Sequence, residues 1–184
     1  MTADELAMRV RELLGDGVRC STSYDALTVD IPREDWVAAV TAVRDTLGLT
    51  FFDMLTAVDE LAAGFDVVLR LWAPVGCYAL LLRMRCPRED AHVPSLAGVF
   101  AGAAWHERQV WEMFDVGFDG HPGLTPLLLP DGFEGHPLRK DFVLASRVAK
   151  AWPGAKEPGE SDRDLAAAPR RRKSLPPGVP GTWP

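Results

Sequence analysis

The side chains best suited to chemistry are histidines and acids between residues 105 and 142. His106 and Glu107 begin like the zinc-binding pattern H-E-x-x-H, but position 110 is valine, so the second zinc ligand is missing. His121 and His136 each follow an acid by two residues and could be considered as metal ligands. Both lie in Gly-His-Pro turns, and nothing in the sequence fixes the distance between them. We therefore predict that they form structural hydrogen bonds and do not bind a metal.

Other catalytic and cofactor signatures are missing from the sequence. There is no G-x-G-x-x-G or Walker loop, and Ser21 and Ser23 lie on a predicted strand without a nucleophile elbow. Cys20, Cys77 and Cys86 are far apart, so they predict neither a disulfide framework nor a zinc or iron–sulfur cradle. The sequence thus predicts no catalytic, cofactor or metal site on this chain. A free-standing metal hydrolase that uses His121, His136 and nearby acids is the alternative.

The last predicted helix carries an acid where an apolar residue is expected. At about 100° per residue, Glu107 falls within a stripe of apolar side chains. The stripe consists of Leu96, Val99, Phe100, Ala103, Val110, Trp111 and Phe114. Because a buried carboxylate is costly unless it is paired, we predict an ion pair between Glu107 and Arg83, Arg85 or Arg139. The alternative is a carboxylate that bends to solvent at the helix edge.

Three more residues of this helix are candidates for structural or docking roles. Arg108 and Glu112 lie four residues apart on its flank, where they could support each other or reach a partner chain. Trp105 points away from the core face, and an exposed tryptophan is a typical interface anchor.

A near-repeat follows the helix. Residues 117–122, GFDGHP, return fifteen residues later as GFEGHP at 132–137, followed directly by LRKDF. Glycine and proline impose turns here, and the segment has little core of its own. We call residues 117–142 the His-Pro segment and predict that it lies against other proteins. His121, His136, Arg139, Lys140 and Asp141 are the polar residues expected at that interface.

The elements that must position these residues can be read from hydrophobic periodicity. Helices are predicted at 3–14 and from Pro32 to Leu47, and strands at 18–24, 27–31, 49–58, 65–73 and 77–86. The first two strands should turn at Asp25-Ala26. The order α-β-β-α-β-β-β-α predicts an α+β fold with helices on one face of a mixed, mainly antiparallel sheet. It does not fit a regular βαβ alternation.

Composition separates one domain from a C-terminal arm. Residues 1–144 hold the periodic patterns, whereas residues 145–184 are rich in Pro, Gly and charge. The arm is predicted to be disordered or to order on a partner. A net charge of −6 argues against nucleic-acid binding, and no apolar run or leader pattern predicts a membrane span or export. A cytoplasmic setting is therefore the default expectation.

Several motifs resemble one family. Leu55-Thr56-Ala57-Val58-Asp59, the lead-in Val93-Pro94-Ser95-Leu96, Glu107-Arg108 with Glu112-Met113-Phe114, and the run from Gly132 to Phe142 are similar to the C subunit of the proton-translocating NADH–quinone oxidoreductase, the 30 kDa subunit family of complex I. Gln109 stands where that family usually has Glu, and Asp115 where it usually has Gly.

The resemblance implies a cofactor-free subunit of the peripheral arm. It would lie at the cytoplasmic face of the cell membrane and contact the membrane only through the complex. Its partners would be the D subunit, which forms the quinone site, and the cluster-bearing B and I subunits, with FMN and iron–sulfur clusters in partner subunits. It would hold them in register while electrons pass from NADH to quinone. The equivalent subunit of a related membrane-bound hydrogenase, or of a complex fed by another donor, is a further alternative.

Overall fold

The computed structural model of the protein describes residues 2–15 and 17–143. Its elements are, in chain order, α1 (Ala3–Leu14), β1 (Arg19–Ser23), β2 (Ala26–Asp30), α2 (Trp36–Leu47), β3 (Phe51–Asp59), β4 (Phe65–Ala73), β5 (Tyr78–Cys86), β6 (His92–Pro94), α3 (Ala103–Phe114) and β7 (Gly117–Asp119). Short 3₁₀ turns, Arg33–Asp35, Leu61–Ala63 and Arg88–Asp90, connect some of them. The predicted arm, residues 145–184, lies outside the described residues.

The main sheet has five strands in the order β1-β2-β5-β4-β3. β2 and β5 are parallel and every other neighbouring pair is antiparallel, which confirms the predicted mixed, mainly antiparallel sheet. One register line joins Val29, Leu82, Leu69 and Leu55, and all four are buried. Because side chains alternate along a strand, this line defines one apolar face. All three helices contribute to the same core cluster, so the predicted α+β fold is confirmed.

Local sequence signals set the ends of the first two helices. Thr2 and Glu5 form a reciprocal capping box at the start of α1. Pro32 precedes a 3₁₀ turn rather than the helix itself, and α2 begins at Trp36. Gly48 ends α2 in a left-handed conformation, with φ 69°, which glycine adopts without steric cost.

The β1–β2 turn and the start of α3 differ from the sequence predictions. The turn is at Tyr24-Asp25 rather than Asp25-Ala26, and both of its residues have positive φ, as a two-residue hairpin requires. α3 begins at Ala103, because residues 97–99 form a turn closed by the Val99 N–H to Leu96 carbonyl bond. The apolar spacing from residue 96 was therefore not that of one continuous helix.

A short second sheet was missed by the sequence analysis. β6 and β7 pair in parallel, so the first residues of the His-Pro segment are bonded to the chain that leads into α3. Between α3 and β7, Asp115 takes the left-handed conformation with φ 63°. A glycine adopts this conformation more easily, and Asp is among the residues that tolerate it best.

Candidate docking site

Two side chains of α3 bind the main chain of the His-Pro segment. The Glu112 carboxylate accepts hydrogen bonds from the N–H groups of Leu127, Leu128 and Leu129 at 3.0, 2.8 and 3.0 Å. The Arg108 guanidinium donates to the carbonyls of residues 125 and 126 at 3.0 and 2.8 Å. Arg108 and Glu112, which were predicted to support each other or to reach a partner chain, thus bind one stretch of backbone. Glu112 binds its N–H groups and Arg108 binds its carbonyls.

The electrostatics of Glu112 fit this role. Burial pushes the pKa of Glu112 upward, but the three backbone N–H groups and the charge of Arg108 outweigh burial and lower it. The carboxylate is therefore ionised at neutral pH, where its hydrogen bonds are charge-assisted and strong.

A second anchor holds the far end of the segment, and sequence reasoning did not assign it. Asp59 ends β3 and is buried, with 2% of its surface exposed. It accepts hydrogen bonds from the N–H of Lys140 at 2.8 Å and the N–H of Leu61 at 2.8 Å, and it forms an ion pair with Arg88. Arg88 also binds Asp141 at 3.2 Å and lies 4.8 Å over the Phe65 ring. The sequence feature that could have indicated this anchor is the position of Asp59, an acid at the end of the run Leu55–Asp59.

Both anchors depend on pH in the same direction. Burial raises the pKa of Asp59, but the Lys140 N–H, Arg88 and the Leu61 N–H together lower it. A carboxylate with a lowered pKa in the folded state stabilises that state above its unfolded pKa. Asp59 and Glu112 should therefore hold the segment at neutral pH and release it as the pH falls below about 4.

The two histidines of the repeat bind opposite ends of α3. His121 contacts the carbonyl of Ala104 through Nε2 at 2.9 Å and accepts the N–H of Gly123 at Nδ1. His136 contacts the carbonyl of Glu112 through Nδ1 at 2.8 Å, and its Nε2 lies 3.5 Å from Asp115. The structure thus gives each histidine main-chain partners. Within the described ranges, no group of three or more His, Cys, Asp or Glu residues could hold a metal ion.

Glu107 is buried as predicted, with 0% of its surface exposed, but the predicted arginine partner is wrong. Its carboxylate accepts the Ser95 hydroxyl and the Leu96 N–H, both at 2.6 Å. The three candidate partners bind elsewhere: Arg83 to Asp30, Arg85 to Asp66 and Arg139 to Asp115. The alternative of a carboxylate bent to solvent is also wrong. Burial raises the pKa of Glu107, and the bonds from Ser95 and Leu96 together with the nearby His121 offset this only in part.

Because its partners are neutral, we expect Glu107→Gln to be tolerated. The amide oxygen can accept the Leu96 N–H while the amide N–H₂ donates to Ser95, and the cost of burying a charge disappears. The free energy of unfolding at neutral pH should stay unchanged or rise, whereas Glu107→Leu should lower it by about 1–3 kcal/mol because a buried N–H loses its acceptor. Urea unfolding of the purified variants measures both. A large loss of unfolding free energy in Glu107→Gln would contradict the conclusion that Glu107 binds neutral hydrogen-bond partners.

The remaining predicted interface residues divide into inward and outward sets. The Arg139 guanidinium binds Asp115 at 3.2 Å and lies 5.5 Å over the Phe65 ring, and Asp141 binds Arg88. The Lys140 main chain is held by Asp59 while the residue remains exposed. Trp105 is 62% exposed, with Arg108 at 5.5 Å from its ring.

The segment presents apolar side chains to solvent although its main chain is fixed. Leu128 is 60% exposed, Leu138 is 50% exposed and Phe133 is 42% exposed. Phe133 stacks on Phe142 at 6.1 Å, and the N–H of Leu138 donates to the Met113 carbonyl.

The residues described by the structure include no helix that is long and apolar enough to cross a bilayer.

Fold and site together define a class of protein: an α+β domain in which a long irregular segment, the His-Pro segment, is bound to the last helix, α3. The chain belongs to the family described as the respiratory-chain NADH dehydrogenase 30 kDa subunit, whose model matches residues 29–148. This confirms the resemblance seen in the sequence. The C subunit of the NADH-quinone oxidoreductase of Brucella abortus strain 2308 is 37% identical over 149 residues, which cover 78% of this chain and 73% of the relative. The same subunit of Brucella ovis matches to the same extent.

Two solved structures share the fold. A trypsin-resistant fragment of Nqo5 aligns with a TM-score of 0.57 at 24% identity, covering 67% of this chain and 100% of the fragment. A chain of the membrane-bound sulfane sulfur reductase, an archaeal respiratory membrane complex, aligns with a TM-score of 0.68 at 21% identity. That alignment covers 86% of this chain and 96% of the archaeal one.

Proposed function

We propose that this chain is a cofactor-free architectural subunit in the peripheral arm of a proton-translocating NADH–quinone oxidoreductase, at the cytoplasmic face of the cell membrane. It holds the quinone-site D subunit and the cluster-bearing B and I subunits in register, while FMN and iron–sulfur clusters belong to partner subunits. Electron tunnelling depends steeply on distance, so a chain that touches neither substrate nor redox centre can be needed for turnover. Membership of the 30 kDa family supports the assignment.

One observation carries the docking role: the His-Pro segment is fixed by its own domain while its apolar side chains stay exposed. Glu112 and Asp59 bind N–H groups at residues 127–129 and 140, and Leu128, Phe133 and Leu138 remain solvent-accessible between or beside those points. A segment already ordered before binding loses little conformational entropy when a partner covers it. Exposed apolar anchors on such a segment are typical of interface hot spots.

The docking role predicts that a charge at Leu138 blocks assembly without unfolding the domain. A glutamate there would be buried without a partner in the complex, but it is solvated in the free chain. A cost of about 3 kcal/mol corresponds to an affinity loss of more than about a hundredfold. The measurement uses membranes from a host whose own copy is replaced by the tagged full-length variant, and compares co-purified subunits and NADH–quinone reductase activity.

Val75→Glu is the matched control for this experiment. Val75 is 100% exposed in the β4–β5 turn, so the same substitution adds the same charge away from the His-Pro segment. Normal assembly of Val75→Glu together with lost assembly of Leu138→Glu is the expected result. A fully assembled and active Leu138→Glu complex would show that the segment is not the docking site.

The same purification identifies the electron donor of the complex. NADH- and flavin-binding chains should co-purify with the tagged subunit. Their replacement by a hydrogenase or another donor module would favour the related complex, and recovery of a lone chain with bound metal would favour the hydrolase alternative.

A further inference from the structure

The two edges of the main sheet are protected to different degrees. β3 forms one edge and α3 packs against it, with His106 Nδ1 3.1 Å from the Leu55 carbonyl oxygen. The register of β3 is also broken between Phe52 and Met54. Such cover and irregularity prevent another strand from pairing with an edge. β1 forms the other edge, and its register with β2 is regular from end to end.

The main chain of β1 is open to another strand. In an antiparallel pair, alternate residues direct their N–H and C=O groups toward the partner strand, and the others direct them outward. β2 is the one neighbour of β1 in the sheet, and the described residues give 19–23 no backbone–backbone hydrogen bond outside that pairing. β1 also contains no lysine, proline or bulge, the features that commonly block strand addition.

A groove lies between β1 and α1. Cys20 and Thr22 pair with the core residues Val29 and Leu27, so their side chains are on the helix side of the sheet. Thr22 is nevertheless exposed. The groove beside these two residues has a volume of about 690 Å³, and Met8 of α1, which is 59% exposed, lines its other side. The inward side chains of a strand added to β1 would enter this groove.

The other face of β1 carries a charge without an ion-pair partner among the described residues. Arg19 is exposed and lies opposite Asp30 in the sheet register, but the Asp30 carboxylate binds Arg83 at 2.6 Å. Residues directly opposite each other in neighbouring strands share a face and interact. An acid on an added strand, opposite Arg19, would therefore extend the alternation of charge from Arg83 through Asp30 and Arg19.

We propose that β1 accepts an extended segment of a neighbouring protein subunit as a further strand of the main sheet. The segment places an acidic side chain opposite Arg19 and uncharged side chains in the groove beside α1. This rests on the proposed function, because it requires that the chain work within a complex. In strand addition, main-chain hydrogen bonds supply affinity, and the pockets for alternate side chains supply specificity.

Charge and main-chain chemistry select this occupant over two others. β1 contains no acid, so two copies of the chain that pair edge to edge through residues 19–23 supply none opposite Arg19. An anionic lipid headgroup could bind the Arg19 guanidinium, but it has no ladder of N–H and carbonyl groups to match the strand edge.

Hydrogen exchange tests the strand addition in the intact complex and in the purified full-length chain. The outward N–H groups of residues 19–23 face water in the free chain and are hydrogen-bonded in the complex. They should therefore exchange at least about tenfold more slowly in the complex. Arg19→Glu should reduce this protection. Arg9→Glu, the same change of charge at an exposed position of α1, should retain it.

A crosslink identifies the occupant. Ser21 is exposed on the same face as Arg19, so a photoreactive amino acid at position 21 should capture one neighbouring subunit, at an extended segment that contains Asp or Glu. Arg19→Gln removes the charge without reversing it and replaces Arg19→Glu if that variant does not assemble.

Three results would overturn the proposal: equal exchange of residues 19–23 in the free chain and the complex, full protection in the Arg19 variant, or capture of lipid or of a second copy. An assembled and active complex that gave any of these results would leave the proposed function and the role of the His-Pro segment standing.

Discussion

Replacing Glu112 by leucine should release the middle of the His-Pro segment from α3 and prevent assembly of the complex. The change removes the acceptor of three N–H groups, from Leu127, Leu128 and Leu129, and leaves the Arg108 charge without its counterion on the helix. Charge-assisted bonds contribute more than neutral ones, so we expect a loss of about 2–4 kcal/mol. The loss should be local, because the released N–H groups can bind water once the segment leaves the helix.

Hydrogen exchange of the purified chain measures this loss residue by residue. Amides at 127–129 should exchange faster in Glu112→Leu, whereas the core strands β4 and β5 should keep their protection. Glu112→Gln retains one acceptor oxygen and should give an intermediate result. Glu134→Gln, at an exposed acid of the same segment that binds none of these N–H groups, should leave exchange at 127–129 unchanged. Unchanged exchange at 127–129 in Glu112→Leu would mean that Glu112 does not hold the segment.

Asp59→Ala should cause the largest loss of stability among these variants. It leaves Arg88 without its buried partner and removes the acceptor for the N–H groups of Lys140 and Leu61. Breaking a buried ion pair by removing one member costs about 3–5 kcal/mol, most of it the penalty for the charge left behind. The measurement is urea unfolding, with hydrogen exchange at residues 138–142 as the local readout.

A double-mutant cycle separates the ion pair from general damage. Asp59→Asn combined with Arg88→Met removes both charges, and the double variant should be more stable than the sum of the single losses predicts. Asp141→Asn is the control, because Asp141 also binds Arg88 but its side chain is 60% exposed, and exposed pairs contribute about 0–1 kcal/mol. Additive losses in the cycle would show that Asp59 and Arg88 do not act as a pair.

The sequence marked Glu112 as a structural candidate but predicted neither the backbone that Glu112 binds nor the anchor at Asp59. Glu112 lies on the helix just before the segment that it binds, 15 to 17 residues from its partners, and its helical position marked it as a candidate. Asp59 lies 29 residues from Arg88 and 81 residues from Lys140. Its place at the end of a strand carried no sign of either contact. Such a cluster forms only when the sheet order brings the end of β3 beside the end of the His-Pro segment.

For Glu107, the sequence predicted the burial of the carboxylate but not its hydrogen-bond partners. Helical periodicity correctly placed its carboxylate in the core, because that depends only on the spacing of apolar neighbours. Its partner could not be derived in the same way. The expected arginines form ion pairs with aspartates elsewhere. Glu107 instead binds the Ser95 hydroxyl and the Leu96 N–H, which precede α3.

The sequence by itself determined the order of the three helices and the five main strands, the mixed sheet with one apolar face, and the family, since periodicity and motif spacing are local properties of the chain. Only the tertiary structure decided which groups meet: the Asp59–Arg88 anchor, the neutral hydrogen-bond partners of Glu107, the β6–β7 pair and the arginine–aspartate pairs of strands β2–β5. The physical reason is that hydrogen bonds and ion pairs form between whichever groups the fold brings within about 3 Å, and sequence distance does not encode that proximity.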